Sequence, residues 1–166
     1  MEKIARGVNR SANRPLLSID PGPTQSGWCV LHNGTVTNSG VSDNGDVLAS
    51  VYLWRGPLAI ECIASYGMAV GKDVFETCIW IGRLIQAYEY PELVRRIYRK
   101  DVKLHLCGSP RAKDQNIRQA LIDMFGGKEK AIGRKATPGP LHGVKSHAWS
   151  ALAVAIVALE QMREVA

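Results

Sequence analysis

Two carboxylates in this 166-residue chain interrupt apolar runs that would otherwise be buried. Asp20 closes Pro15-Leu16-Leu17-Ser18-Ile19-Asp20 just before Pro21-Gly22, and Glu61 lies within Pro57-Leu58-Ala59-Ile60-Glu61-Cys62-Ile63. A carboxylate in an apolar strand is costly unless it is hydrogen-bonded, paired or bound to a metal. Pro-Gly forces a tight turn behind Asp20, and Gly27 permits close backbone approach. If the two runs are adjacent central strands, both acids meet at one end of a sheet. There they repel unless a proton or a cation intervenes. Hard oxygen ligands of this kind suit Mg²⁺ or Mn²⁺. A pair of strand-end acids that only caps neighbouring backbone fits the same pattern, and periodicity alone does not separate the two.

The elements that would position this pair follow from spacing. Strands are expected over 15–20, 26–32 and 35–39, joined as an antiparallel meander with Asn33-Gly34 as the tight hairpin turn. A fourth strand is expected over 57–63, and residues 47–54 fit either a short helix or a strand. Val74, Cys78, Ile81 and Ile85 recur at helical spacing over 73–88, with Asp73 as N-cap and Glu76 completing a capping box. A helix over 91–100 would turn Leu93, Val94 and Ile97 inward, and a fifth strand is expected over 102–106. Residues 112–125 fit a helix with Ile117, Ala120, Leu121 and Met124 on one face, ended by Gly126-Gly127. A Gly/Pro/Lys-rich loop over 127–144 leads to a last helix over 146–165. The sum is an α/β domain with a five-stranded mixed sheet flanked by helices.

Composition sets the outer bounds. At 46% hydrophobic and 22% charged residues the chain has the profile of one soluble globular domain, expected over 15–166. No apolar run approaches the ~20 residues of a membrane span. Residues 1–14 are polar and basic without an apolar core, which excludes a secretory signal and suggests a flexible basic arm. A net charge of +6 favours a polyanionic partner, nucleic acid first. The four cysteines form no C-x-x-C pair and read as reduced thiols of a cytoplasmic protein, mostly in the core.

Three motifs in order add a family resemblance: Ile19-Asp20-Pro21-Gly22 with Gly27-Trp28, then Ala59-Ile60-Glu61, then Ser146-His147-Ala148-Trp149-Ser150-Ala151-Leu152-Ala153. Together they resemble the RuvC-type Holliday junction resolvases of the RNase H-like nuclease superfamily, over residues 15–160 and in a divergent, phage-type form. The resemblance implies an RNase H-like fold. It also implies a divalent-metal-dependent endonuclease that resolves branched DNA by two-metal hydrolysis, leaving 5′-phosphate and 3′-hydroxyl ends. It further implies a homodimer, with the 73–88 helix and its Trp80 at the interface, so that two sites face opposed strands. Asp20 would bridge two Mg²⁺ or Mn²⁺ ions and Glu61 would share them.

The family pattern places a metal-binding Asp where this chain has Ser150, a poor ligand for Mg²⁺. Three arrangements fit that departure. His147, one turn earlier on the same helix face, supplies the missing ligand or holds a water. Alternatively Asp114 supplies the charge, unless it merely caps its helix. In the third, the site lacks a ligand and is weak or inactive. Lys145 or His147 would stabilise charge on the scissile phosphate.

Lys128, Lys130, Arg134, Lys135 and Lys145 lie in or beside the loop before His147 and form the expected DNA surface. Lys113 sits in a stretch where the family carries a lysine near the site. Arg95, Arg96, Arg99, Lys100 and Lys103 form a second basic cluster. Contacts of this type give salt-sensitive binding with little sequence information. Family members stack an aromatic residue just after the fourth-strand Glu on junction bases. The strict offset here is Ala64, and Tyr66 is the nearest aromatic side chain that would serve. Between the third and fourth strands the family carries a long helix, and this chain has only the short segment 40–56. Two other functions fit the same residues. One is a non-catalytic RNase H-like module that binds branched nucleic acid, for which Ser150 speaks. The other is an RNase H-like nuclease for RNA or another DNA structure.

Overall fold

The apolar run ahead of Asp20 forms β1 (Leu16–Pro21), and its alternation decides the architecture. Leu16 and Ser18 point to one face of the sheet, Leu17 and Ile19 to the other, and all four are buried. A strand buried on both faces needs helices on both. The computed structural model, which describes residues 14–164, meets that need. The expected basic arm lies outside the described residues except for Arg14, whose guanidinium donates to the Arg55 carbonyl at 2.5 Å.

β2 (Gln25–His32) and β3 (Thr35–Asp43) complete the expected meander, both antiparallel. Asn33 and Gly34 have φ of +50° and +75°, as a two-residue hairpin turn between twisted strands requires. The undecided segment is a helix, α1 (Asn44–Leu53). The chain then enters β4 (Leu58–Cys62), parallel to β1.

The next stretch differs from expectation. Residues 91–100 are not a helix: after a 3₁₀ turn at Pro91–Leu93 they form β5 (Arg95–Tyr98), parallel to β4 at the sheet edge. Residues 102–106 are not a strand but lie within α3 (Arg99–Cys107). The Val-Lys-Leu-His-Leu alternation mimics a strand. Val102 and Leu106, four apart, in fact share the helix face that meets the core, while Leu104 is exposed. Gly108, at φ +66°, ends the helix in the left-handed conformation. The five strands are ordered β3-β2-β1-β4-β5.

One face of the sheet carries α6 (Ala148–Glu164), with α3 and α4 (Asp114–Met124) beside it. The other face carries α1 and α2 (Lys72–Ala87). On α2 the buried residues are Thr77, Ile81 and Leu84; Cys78 is exposed and Ile85 only partly covered. Asp73 is not the N-cap, because the helix starts one residue earlier and Gly71 takes that place. Met124 on α4 is likewise exposed, with Ile122 inward instead. The 127–144 segment contains one helical turn, α5 (Lys128–Ala131), and a two-stranded hairpin of β6 (Gly133–Arg134) and β7 (Thr137–Pro138). Among the described residues no helix is long and apolar enough to cross a membrane.

α6 is buried almost all round from Ala148 to Ala158, and its alanines let it lie close on the sheet. Ser18 uses that proximity: its hydroxyl, fully buried, lies 2.7 Å from the Ala151 carbonyl and 3.2 Å from that of Cys29. Its single hydrogen serves the nearer helix carbonyl. Ser18→Ala is expected to cost about 1 kcal/mol, read as a fall in melting temperature of about 2–4 °C. An unchanged melting temperature would show that the bond adds nothing.

Candidate active site

The β1–β4 register pairs Ser18 with Ala59 and Ile19 with Ile60, which brings Asp20 and Glu61 side by side at the ends of these parallel strands. The same alternation that sends Ser18 toward α6 sends Asp20 there, and Ala59 and Glu61 follow the same rule on β4. Both acids therefore face the helix that carries His147 just ahead of its first turn. Behind Asp20 the Pro21-Gly22 turn is braced by buried Asn44. Its amide donates to the Gly22 carbonyl at 2.9 Å and its Oδ1 accepts from Ser26 Oγ at 2.6 Å.

Glu61 is 5% exposed, and its pKa is pushed up to about 9. Burial is the main cause, followed by a hydrogen bond to Asp20 and the charge of Asp20; Arg99 pulls the other way and is outweighed. At neutral pH Glu61 therefore holds its proton beside Asp20. The folded-state value lies above the ordinary one. Glu61 therefore stabilises the fold fully below pH 4.5, and that contribution is lost as pH rises through about 9. Urea denaturation in EDTA is expected to show wild-type stability falling between pH 6 and pH 9.5 relative to Glu61→Gln, whose amide cannot titrate. Parallel profiles for the two proteins would refute the proton held on Glu61.

His147 stands with Nδ1 3.2 Å from Asp20 Oδ2, on a side chain that is 70% exposed. Its placement depends on Gly27, which pairs with Asp20 across β1 and β2. A Cβ on Gly27 would fall 2.3 Å from the His147 carbonyl oxygen, so the chain entering α6 rests directly on the bare glycine. Ser146, at φ +46°, makes the turn that presents His147.

Asp114 does not join the acid pair, and it does not cap its helix either; Lys113 is the N-cap. Asp114 pairs with Arg99, whose other nitrogen lies 3.2 Å from Glu61 Oε1 and 3.3 Å from Ser150 Oγ. Arg99, which by sequence belongs only to the second basic cluster, is thus a residue of the site. A cleft of about 360 Å³ opens beside this group and is lined by Arg99, Asp114, Arg118, His147, Trp149 and Ser150 among others. Arg118 lies 4.7 Å over the Trp149 ring. Lys145 is exposed two residues before His147, and Lys113 is exposed beside Asp114. Lys128 and Lys130 on α5, Arg134 on β6 and Lys135 at the hairpin tip are exposed and do not line this cleft. Tyr66 is exposed, at φ +49°, with Lys100 5.5 Å from its ring.

Among the described residues no three His, Cys, Asp or Glu side chains converge as a ready-made metal cage. Mg²⁺ is commonly held by one or two carboxylates plus water and substrate phosphate. Asp20 and Glu61 meet that requirement for one ion. Among the described residues a second ion finds no further carboxylate converging on this pair, and the Arg99 guanidinium already occupies Glu61 Oε1 at 3.2 Å.

Among solved structures, Thermus thermophilus RuvC superposes with a TM-score of 0.65 over 91% of this chain and 96% of its own, at 18% identity. The fold is RuvC-like. A second T. thermophilus RuvC structure, in complex with a Holliday junction substrate, matches with a TM-score of 0.64 over 90% and 96% of the two chains, again at 18% identity. No protein-family model and no curated protein sequence matches the chain. The RuvC-like fold accounts for the five-stranded mixed sheet with helices on both faces.

Proposed function

We propose that this protein is a structure-selective endonuclease that acts on branched DNA, four-way junctions in particular. The observation that carries the reading is the carboxyl pair Asp20–Glu61. The two acids lie on adjacent parallel strands, Glu61 holds a proton that a divalent cation can replace, and both reach side chains of the neighbouring cleft, Asp20 through His147 and Glu61 through Arg99. The RuvC-like fold and the net charge of +6 support a nucleic-acid substrate.

Asp20 and Glu61 would hold one Mg²⁺ or Mn²⁺. When bound, such an ion supplies Lewis-acid stabilisation to a phosphodiester undergoing hydrolysis. The rest falls to the chain's own groups. His147 turns Nδ1 to Asp20, leaving Nε2 to hold or pass a proton at the cleft. Arg99 and Arg118 offer charge-assisted donors to phosphate oxygens. The exposed lysines from Lys128 to Lys145 extend a positive surface for the flanking duplex arms. A homodimer, which paired cuts in opposed strands require, and a phage origin belong to the same proposal.

The test is a synthetic four-way junction incubated with the protein in Mg²⁺, Mn²⁺ or EDTA. Paired nicks in either metal and none in EDTA are expected. A second reading, a module that binds branched DNA without cutting it, is favoured by Ser150 and by the guanidinium resting on Glu61. Junction binding with no cleavage in either metal would establish that reading instead.

A further inference from the structure

Arg99 opens α3, and β5 delivers it without an intervening loop. Ile97 pairs beside Glu61, so the side chain two residues on leaves the same face of the sheet just past the acid. The guanidinium spans three acceptors from three elements. Nη1 donates to Glu61 at 3.2 Å and to Ser150 at 3.3 Å, and Nη2 pairs with Asp114. The two arms differ in setting: the Glu61 side chain is 6% exposed and that of Asp114 is 80% exposed. An exposed ion pair is weak and exchangeable, whereas a guanidinium presents paired donors that match phosphate oxygens.

We propose that Arg99 is the second cation of this site: it stands where a second divalent ion would need to bind, and its outer arm leaves Asp114 to take an oxygen of the incoming phosphodiester. The proposal rests on the nucleic-acid reading above. Ser150 belongs to the same arrangement. Its hydroxyl accepts a hydrogen bond from Arg99 and adds no charge, so the negative charge facing the guanidinium comes from the Asp20–Glu61 pair and from Asp114. A divalent ion placed beside it would meet a fixed positive charge at short range. Asp114 then acts as a placeholder that keeps the outer arm oriented until phosphate displaces it.

Two measurements on the full chain test this: Mn²⁺ stoichiometry by electron paramagnetic resonance, and binding of a fluorescent four-way junction in EDTA by anisotropy. Wild type and Ser150→Asp are expected to bind one Mn²⁺ each, and the double variant Arg99→Met with Ser150→Asp to bind two. Arg99→Met is expected to weaken junction binding about tenfold. Asp114→Asn should tighten it in the wild-type background and have no effect in the Arg99→Met background, because a general gain from lost negative charge would persist in both. Arg99→Lys, with charge but no fork, serves if the methionine variant melts early; it should bind one Mn²⁺ and hold the junction less tightly than wild type. Two Mn²⁺ ions on wild type, or an Asp114→Asn gain that survives removal of the guanidinium, would overturn the proposal. A wild type with no affinity for the junction would sink the nucleic-acid reading itself, while the Mn²⁺ counts would still judge Arg99.

Discussion

Asp20→Asn is expected to reduce junction cleavage by at least about a thousandfold while leaving junction binding and folding intact. The size follows from the several kcal/mol that electrophilic stabilisation by a bound ion contributes to phosphoryl chemistry, at about 1.4 kcal/mol per factor of ten. The amide keeps the shape of the carboxylate but offers a neutral, weaker oxygen to a hard cation. Folding should not suffer, because the asparagine carbonyl can still accept a hydrogen bond from the protonated Glu61 carboxyl. The variant should therefore melt close to the wild-type temperature in EDTA. Cleavage within tenfold of wild type would remove Asp20 from the chemistry. A collapsed melting temperature would instead make it a structural residue.

That pair was legible in the sequence for a simple reason. Strand alternation has a period of two, so Ser18 and Asp20, and Ala59 and Glu61, had to share a face once β1 and β4 became neighbours. The Asn33-Gly34 turn and the need for a bare Gly27 were legible too, because each is a backbone constraint carried by one residue type. Arg99 was not. Its environment depends on β5 being a strand, and four residues at a sheet edge, Arg95–Tyr98, carry too little periodicity to outweigh the helix-like run around them. The Val102–Leu106 alternation then drew the expected strand into what is α3. With those two elements exchanged, Arg99 fell on a solvent face and Asp114 lacked the partner that explains it. Asn44, the brace behind the Asp20 turn, was hidden for a related reason: its partners Gly22 and Ser26 are distant in sequence and were brought near only by the fold.

Gly27→Ala is expected to damage both the fold and the site, and the two losses have one origin. The added methyl would lie 2.3 Å from the carbonyl oxygen of His147, 2.4 Å from its carbonyl carbon and 2.7 Å from its Cβ. The first two are backbone atoms at the entrance to α6, so no side-chain rotation can relieve the contact. The entrance to α6 must lift away from the sheet, or β2 must yield opposite Asp20. Overpacking of this kind costs about 3 kcal/mol, which for a chain of this size corresponds to a fall in melting temperature of about 6–12 °C. Lifting the entrance also carries His147 Nδ1 away from Asp20 Oδ2, now 3.2 Å apart. At a temperature where the variant is still folded, cleavage should therefore fall further than the loss of folded protein explains. His147→Gln, which leaves Gly27 and the helix entrance untouched, should reproduce the loss of cleavage without the loss of stability. If Gly27→Ala melts like wild type, the close approach of the helix entrance to β2 is wrong. If it destabilises the chain but cleavage per folded molecule is unchanged, His147 has no part in the chemistry and Gly27 serves packing alone.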